Sequence, residues 1–247
     1  VHSDYRLDYL GRPFHRLTYG TINTISLRMF DYHIGVSDAM VQLLISRGFN
    51  PQKLFSIYNG VAFPPEKPSL SRGEYLESLC VSYDEDTVVF GIAARLNPVK
   101  DIATLIRGFA GACRKCPNIR LVIAGDGEER QMLESLAKET CPAGSVVFAG
   151  WVKDTDSFYH AIDVNMLTSL SEGAPYALVE GARMRCATIA TSVGGIPYMM
   201  ESGVTGLLFT PRDVETLTSY MVRLVENPAF RRKLGENFYE KAEQVYS

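Results

Sequence analysis

From Thr87 onward the chain alternates short apolar runs with amphipathic stretches, and no other feature constrains its fold as strongly. Val88 to Ala94 is followed by Ile102 to Cys116, Ile119 to Ala124 by Glu128 to Lys138, and Val146 to Ala149 by Asp156 to Ala161. Val164 to Thr168 precedes Pro175 to Arg185, Ala187 to Thr191 precedes a short Pro197 to Glu201, and Leu207 to Phe209 precedes Val214 to Glu226. A last helix is expected over Phe238 to Tyr246. Short apolar strands that alternate with helical periodicity need cover on both faces. The pattern predicts an α/β, Rossmann-like doubly wound domain on a parallel sheet of about six strands.

Upstream the pattern is thinner. Leu17 to Met29 suits a helix, Tyr32 to Val36 a strand, Asp38 to Arg47 a helix capped by Ser37 and ended by Gly48, and Leu54 to Tyr58 a strand closed by Asn59-Gly60. Two strands and two helices are too few for a complete three-layer domain. Residues 1–63 are therefore expected to be the tail of another domain, residues 64–71, with Pro64, Pro65 and Pro68, a linker, and residues 72–247 the main domain. The chain starts at Val1 rather than Met, which suggests a piece of something longer.

Composition excludes several classes. With 247 residues, 46% hydrophobic and 21% charged, and a formal net charge of −3, the chain has no general attraction for nucleic acid. No apolar run nears the roughly 18 residues that span a bilayer, and Val1-His2-Ser3-Asp4 is no signal peptide. Cys113 and Cys116 form a C-x-x-C without a second pair, so they suit thiols in a reducing compartment better than zinc. His2, His15, His33 and His160 lack metal-ligand spacing. Asp84-Glu85-Asp86 precedes its strand and fits a solvated turn, while Asp154-Thr155-Asp156 opens a helix and is explained by capping. No metal is expected.

In an open parallel sheet, ligands bind beyond the carboxyl ends of the strands. Those turns carry Arg95 and Lys100, then Gly125-Asp126-Gly127, Gly150-Trp151-Val152, Glu172-Gly173 and Gly194-Gly195. Arg95 and Lys100 would balance a diphosphate, or are two solvated loop cations. Gly125-Asp126-Gly127 is also ordinary turn punctuation, and Gly194-Gly195 fits either a tight turn or a close approach to ligand. Pro175 suits the first position of a helix whose free amides (Ala174, Tyr176, Ala177) favour a phosphate. Glu172 before that helix and Glu180 one turn inside it suit a polyhydroxylated ligand.

The segments A-R-L-N-P-V-K-D, A-G-D-G-E-E-R, S-E-G-A-P-Y-A-L-V-E and V-G-G-I-P-Y-M-M-E-S-G-V-T-G-L-L-F, in this order, resemble the C-terminal half of a GT-B retaining glycosyltransferase of family 4 (glycosyl transferases group 1). Upstream, S-I-Y-N-G-V resembles the segment that ends the N-terminal, acceptor-binding half. The resemblance implies transfer of a sugar from a nucleoside-diphosphate sugar to a hydroxyl acceptor, with retention, in polysaccharide, glycolipid or glycoconjugate assembly. A UDP-sugar is the favoured donor, with GDP- or ADP-sugars as alternatives. No metal or other cofactor is implied. It places Arg95 and Lys100 on the donor diphosphate, Glu180 on the ribose, Glu172 on the transferred sugar, and main-chain groups near Trp151 and Val152 at the base. Gly125 and Gly127 would border the donor; amides of Gly173, Ala174, Tyr176 and Ala177 would meet sugar and phosphate. His2 matches a histidine beside the reacting sugar, or is an ordinary polar residue near a chain end. Pro175 departs from the family's glycine at that position and removes one amide donor. The glycine-rich acceptor loop is absent from these residues. The expected setting is cytoplasmic, extending to the inner face of the membrane through the missing domain, and the fragment by itself is expected to be inactive. Rival readings are a nucleotide-sugar epimerase of like architecture and a donor-binding module without turnover.

Overall fold

The computed structural model describes residues 22–65 and 67–247. Helix α1 (residues 22–28) leads into β1 (His33–Gly35), α2 (Asp38–Ser46) and β2 (Leu54–Ser56). After α3 (Arg72–Ser78) come β3 (Val88–Ala93), α4 (Ile102–Cys113), β4 (Ile119–Ala124), α5 (Arg130–Thr140), β5 (Val146–Gly150), α6 (Thr155–Ala161) and β6 (Val164–Leu167). The remaining elements are α7 (Tyr176–Arg183), β7 (Ala187–Thr191), α8 (Ile196–Met199), β8 (Leu207–Phe209), α9 (Val214–Glu226) and α10 (Pro228–Tyr246). None of the helices among the described residues is long and apolar enough to cross a membrane.

Strands β3 to β8 form one parallel sheet in the order β5-β4-β3-β6-β7-β8. The first strand of the set lies in the middle, the chain winds outward to one side and then to the other, and the winding reverses between β3 and β6. Successive side chains along a strand leave the sheet on opposite faces. Val88, Phe90 and Ile92 accordingly pack with Ile102, Leu105, Ile106 and Phe109 of α4 and with Leu217 and Met221 of α9. Val89 faces the other way and joins Tyr75 and Leu76 of α3 and Phe158 and Tyr159 of α6. A third apolar group gathers α7, α8 and α10 around Leu178, Ile196 and Phe238.

The third group also ties in part of the upstream segment, residues 36–63. Val36 is buried there, with Tyr58, Val61 and Phe63 packed against it. Val61 N donates to Tyr246 O at 2.9 Å, and Tyr58 lies against the Tyr246 ring with centroids 5.5 Å apart. Strands β1 and β2 pair in parallel, with Ile34 opposite Phe55. Ile34 and Phe55 are exposed on one face, together with Tyr32 and Ile57 beside them.

The elements follow the alternation closely, with differences of detail at their ends and a few larger ones. Helix α10 starts at Pro228 rather than near Phe238, with Asn227 Oδ1 accepting from Phe230 N at 2.9 Å. Helix α3, between the proline-rich stretch and β3, was not expected at all; Ser71 and Glu74 close a capping box at its start. Strand β2 ends at Ser56, two residues before the expected Tyr58. Pro175 stands as the cap of α7, at ψ 126, one position before the first helical residue.

At the amino end of the sheet, Asp163 joins three elements. Its Oδ2 accepts from Arg72 Nη2 at 2.9 Å and from Val89 N at 2.8 Å, and Asp163 N donates to Val89 O at 2.8 Å. Arg72 Nη1 also reaches Ala161 O at 2.8 Å. Asp163→Ala should therefore leave a guanidinium and a strand amide short of an acceptor and lower unfolding free energy by about 2 kcal/mol. Urea denaturation measures this, and a loss below about 0.5 kcal/mol would remove Asp163 from the set of structural ties.

Candidate functional site

Five turns line the carboxyl edge of the sheet, and backbone hydrogen bonds stitch each to its neighbour. Leu96 N donates to Asp126 O at 2.9 Å, and Gly125 N to Gly150 O at 2.6 Å. Leu170 N donates to Val99 O at 2.7 Å, and Gly195 N to Glu172 O at 3.2 Å. The glycines make this approach feasible. A Cβ on Gly125 would collide with Ala94 O and one on Gly127 with Leu96 O; on Gly194 and Gly195 it would collide with Glu172 O and Gly173 O. Gly125 and Gly194 also hold φ of +133° and +52°, where a side chain is strained. Gly194 and Gly195 thus pack closely on the turn that carries Glu172.

A cavity of about 740 Å³ opens over the ends of β3, β4 and β5. Ala93, Ala94, Val152 and Phe158 give it apolar walls; Arg95, Gly125, Gly127 and Trp151 border it. Trp151 is 77% exposed, an unusual setting for so large an apolar ring. Asp126, also on the border, is held by Arg130, whose Nη1 lies 3.5 Å from Asp126 Oδ2 and whose Nε bonds Glu134 Oε1 at 2.8 Å.

Next along the rim, at the reversal between β3 and β6, Lys100 Nζ meets Glu172 Oε1 at 2.5 Å. Ser169 Oγ donates to the same oxygen at 2.6 Å. The Glu172 side chain is only 10% exposed, so its charge is balanced at close range rather than by water. Lys100 and Glu172 are 72 residues apart in sequence, in the turns after β3 and β6.

Helix α7 begins beside it. Among the described residues the amides of Tyr176 and Ala177 have no acceptor, as expected of a first helical turn. Gly173 and Ala174 are buried, and their carbonyls take hydrogen bonds from the upstream segment: Ser37 Oγ to Gly173 O at 3.4 Å and Asn59 Nδ2 to Ala174 O at 3.0 Å. Ser37 also caps α2, accepting from Met40 N at 3.2 Å.

Glu180 is turned toward α6, near Tyr159 and Asp156, with Arg183 of its own helix alongside. Burial pushes its carboxyl up, against the pull of the Tyr159 hydroxyl and the Arg183 guanidinium. The Tyr159 hydroxyl is fully buried and falls short of hydrogen-bond geometry with any partner, while Arg183 is ion-paired to Asp156.

The expected site residues therefore divide. Arg95, Gly125, Gly127, Trp151 and Val152 share the cavity. Lys100 and Glu172 form the adjoining ion pair, flanked by Gly173, Ala174, Tyr176 and Ala177 at the α7 start. The cavity bordered by Arg95 does not have Lys100, Glu172 or Glu180 in its lining; Lys100 and Glu172 stand next along the rim, and Glu180 faces α6. His2 lies outside the described residues. Ser169 and Thr191, a buried pair joined by Thr191 Oγ1 donating to Ser169 O at 2.6 Å, had no signal in local spacing. Among the described residues no three His, Cys, Asp or Glu side chains gather as a metal site.

A family model described as glycosyl transferases group 1 matches residues 81–241. The lipopolysaccharide core biosynthesis glycosyltransferase LpsE of Rhizobium meliloti is 31% identical over 141 residues, covering 57% of this chain and 40% of that protein. Among solved structures, Anabaena Alr3699/HepE in complex with UDP and glucose aligns at a TM-score of 0.78 and 23% identity, covering 88% of this chain and 59% of that one. TarM of S. aureus, in a complex that includes UDP, aligns at 0.81 and 17% identity over 100% of this chain and 47% of that one. The chain spans about half the length of the curated relatives it matches.

Glu180 supplies a pH test. Its folded-state pKa lies above the ordinary carboxyl value, so the fold prefers the protonated form. The stability this group contributes is present at pH below the unfolded value and declines as pH rises through the window up to the folded one. Glu180→Gln should make thermal stability of the ligand-free protein less dependent on pH above the ordinary carboxyl range and leave it equal or higher at neutral pH. Calorimetric melts of both proteins across that range check this; a glutamine variant that melts lower at pH 7 would mark the carboxylate as a structural partner.

Proposed function

The chain belongs to the glycosyl transferases group 1 family, and from that premise we propose that it carries the donor half of a retaining, family 4 glycosyltransferase. In this reading the enzyme moves a sugar from a nucleoside-diphosphate sugar, most simply a UDP-sugar, to a hydroxyl acceptor in polysaccharide, glycolipid or glycoconjugate synthesis. Residues 72–247 form the donor domain, residues 64–71 the linker, and residues 1–63 the end of the acceptor domain.

One observation carries the proposal: the Lys100 and Glu172 pair stands at the strand-order reversal, between the cavity bordered by Arg95 and the free amides of α7. An apolar cavity with an exposed indole suits a planar base. Arg95, Lys100 and the α7 amides supply positive potential for a diphosphate beside it, and Glu172 an acceptor for a sugar hydroxyl beyond. Glu180, on the second turn of α7, is assigned to the ribose.

The chemical role follows from charge. As the glycosidic bond to the diphosphate breaks, negative charge grows on the leaving oxygen and positive charge on the sugar ring. Fixed cations and amides at the phosphate side lower that barrier by electrostatic preorganisation, at about 3 kcal/mol per donor. The base, cations and helix amides together need no metal in this scheme. Relatives of this chain that carry names in lipopolysaccharide core and capsular polysaccharide biosynthesis support the proposed setting.

Titration calorimetry with UDP, GDP and ADP, each with and without glucose attached, tests the reading. Binding of UDP is expected, weakened about tenfold or more by Arg95→Ala or Lys100→Ala, the size of one charged hydrogen bond. Asp84→Ala, at the opposite end of the sheet, should leave it unchanged. Failure of every nucleotide to bind would overturn the proposal.

A further inference from the structure

We propose that Ser169 is a positioning residue: it fixes the Glu172 carboxylate, and with it the seat of Lys100, for recognition of the sugar carried by a nucleoside diphosphate. The proposal rests on the donor reading above and adds to it a residue outside the charged set. Ser169 is 2% exposed, and its Oγ donates to Glu172 Oε1 at 2.6 Å. That oxygen also takes Lys100 Nζ at 2.5 Å, whereas Oε2 has no protein partner among the described residues.

Both ends of the ion pair are tied to the end of β6. Thr168 Oγ1 donates to Lys100 O at 2.9 Å, and Thr191 Oγ1 donates to Ser169 O at 2.6 Å. Thr168 and Thr191 are fully buried. Packing alone gives no reason for three buried hydroxyls here, because apolar side chains of similar size fill such space without a desolvation cost. What the hydroxyls provide is direction.

Direction matters more for Glu172 than for Lys100. An ammonium on a four-carbon stem is a compact charge that follows its partner, while a carboxylate must present one oxygen at a set angle to a hydroxyl. With Ser169 and Lys100 on Oε1, the carboxylate is held in one rotamer instead of several, and Oε2 is left without a protein partner among the described residues. Bare UDP has no transferred sugar, so it does not use this oxygen. Loss of the Ser169 hydroxyl should therefore be felt by the sugar nucleotide and scarcely by the nucleotide.

Calorimetry of UDP and UDP-glucose binding to the 247-residue chain, with Ser169→Ala and Ser169→Thr, reads this difference. Ser169→Ala should weaken UDP-glucose about tenfold and UDP by less than about twofold, and Ser169→Thr, which keeps the hydroxyl, should restore most of the loss. Should alanine cost the fold, Ser169→Cys, close in volume with a weak S–H donor, carries the same expectation. Equal losses for both ligands, or none for UDP-glucose, would overturn the positioning role while leaving the donor reading intact. A wild-type chain that binds neither ligand overturns the donor reading, and with it the sugar role of Ser169. A crystal structure of Ser169→Ala gives a readout without ligand: the Glu172 carboxylate should shift from its present position, with Lys100 Nζ following it, and an unmoved carboxylate would reject the inference.

Discussion

Backbone carbonyls of one rim turn lie where the next turn's side chains would be, and the whole carboxyl edge of the sheet depends on that contact. Ala94 O and Leu96 O occupy the space beside Gly125 and Gly127; Glu172 O and Gly173 O occupy the space beside Gly194 and Gly195. The sheet sets strand separation, so turns that follow neighbouring strands can touch only where no Cβ intervenes. Once they touch, the amides of Leu96, Gly125 and Gly195 find acceptors across the gap. The cavity walls and the Lys100 and Glu172 pair are then held by backbone rather than by long side chains, a rigid mounting for a site.

That mounting separates two kinds of recognition along one edge. Apolar walls, an exposed indole and Arg95 stand over β3, β4 and β5. A closely balanced ion pair and a helix start stand over β3 and β6. A ligand with a flat apolar end, an anionic centre and a hydroxylated end matches this sequence of environments, which supports the proposed donor assignment. Ser37 and Asn59 reach the carbonyls of Gly173 and Ala174 from the upstream segment, so the loop that carries Glu172 is braced from both sides.

Much of the fold was legible because periodicity is a property of consecutive residues. Strands such as Ile119–Ala124 and Ala187–Thr191 and helix α9 lie where apolar runs and amphipathic stretches put them. Pro64, Pro65 and Pro68 mask the start of helix α3 in the sequence, although Ser71 and Glu74 three positions apart carry a capping box. The early start of α10 had its own mark in Asn227-Pro228, a cap followed by proline at the first turn. In the site, the residue types on the rim could be read from their place after each strand. Their pairing could not: Lys100 turns to Glu172 rather than joining Arg95, and Ser169 enters through a hydrogen bond that only the folded turn creates. Glu180 faces Tyr159 and Asp156 of α6, neighbours that its position along α7 does not disclose.

Trp151 is the sole tryptophan of the chain, and it stands in water at the mouth of the cavity. Indole emission is sensitive to its surroundings, and here no second indole blurs the signal. Any aromatic guest that settles against that ring will quench or shift the light from a single known position. The protein thus carries its own optical gauge of occupancy, with no dye or label attached.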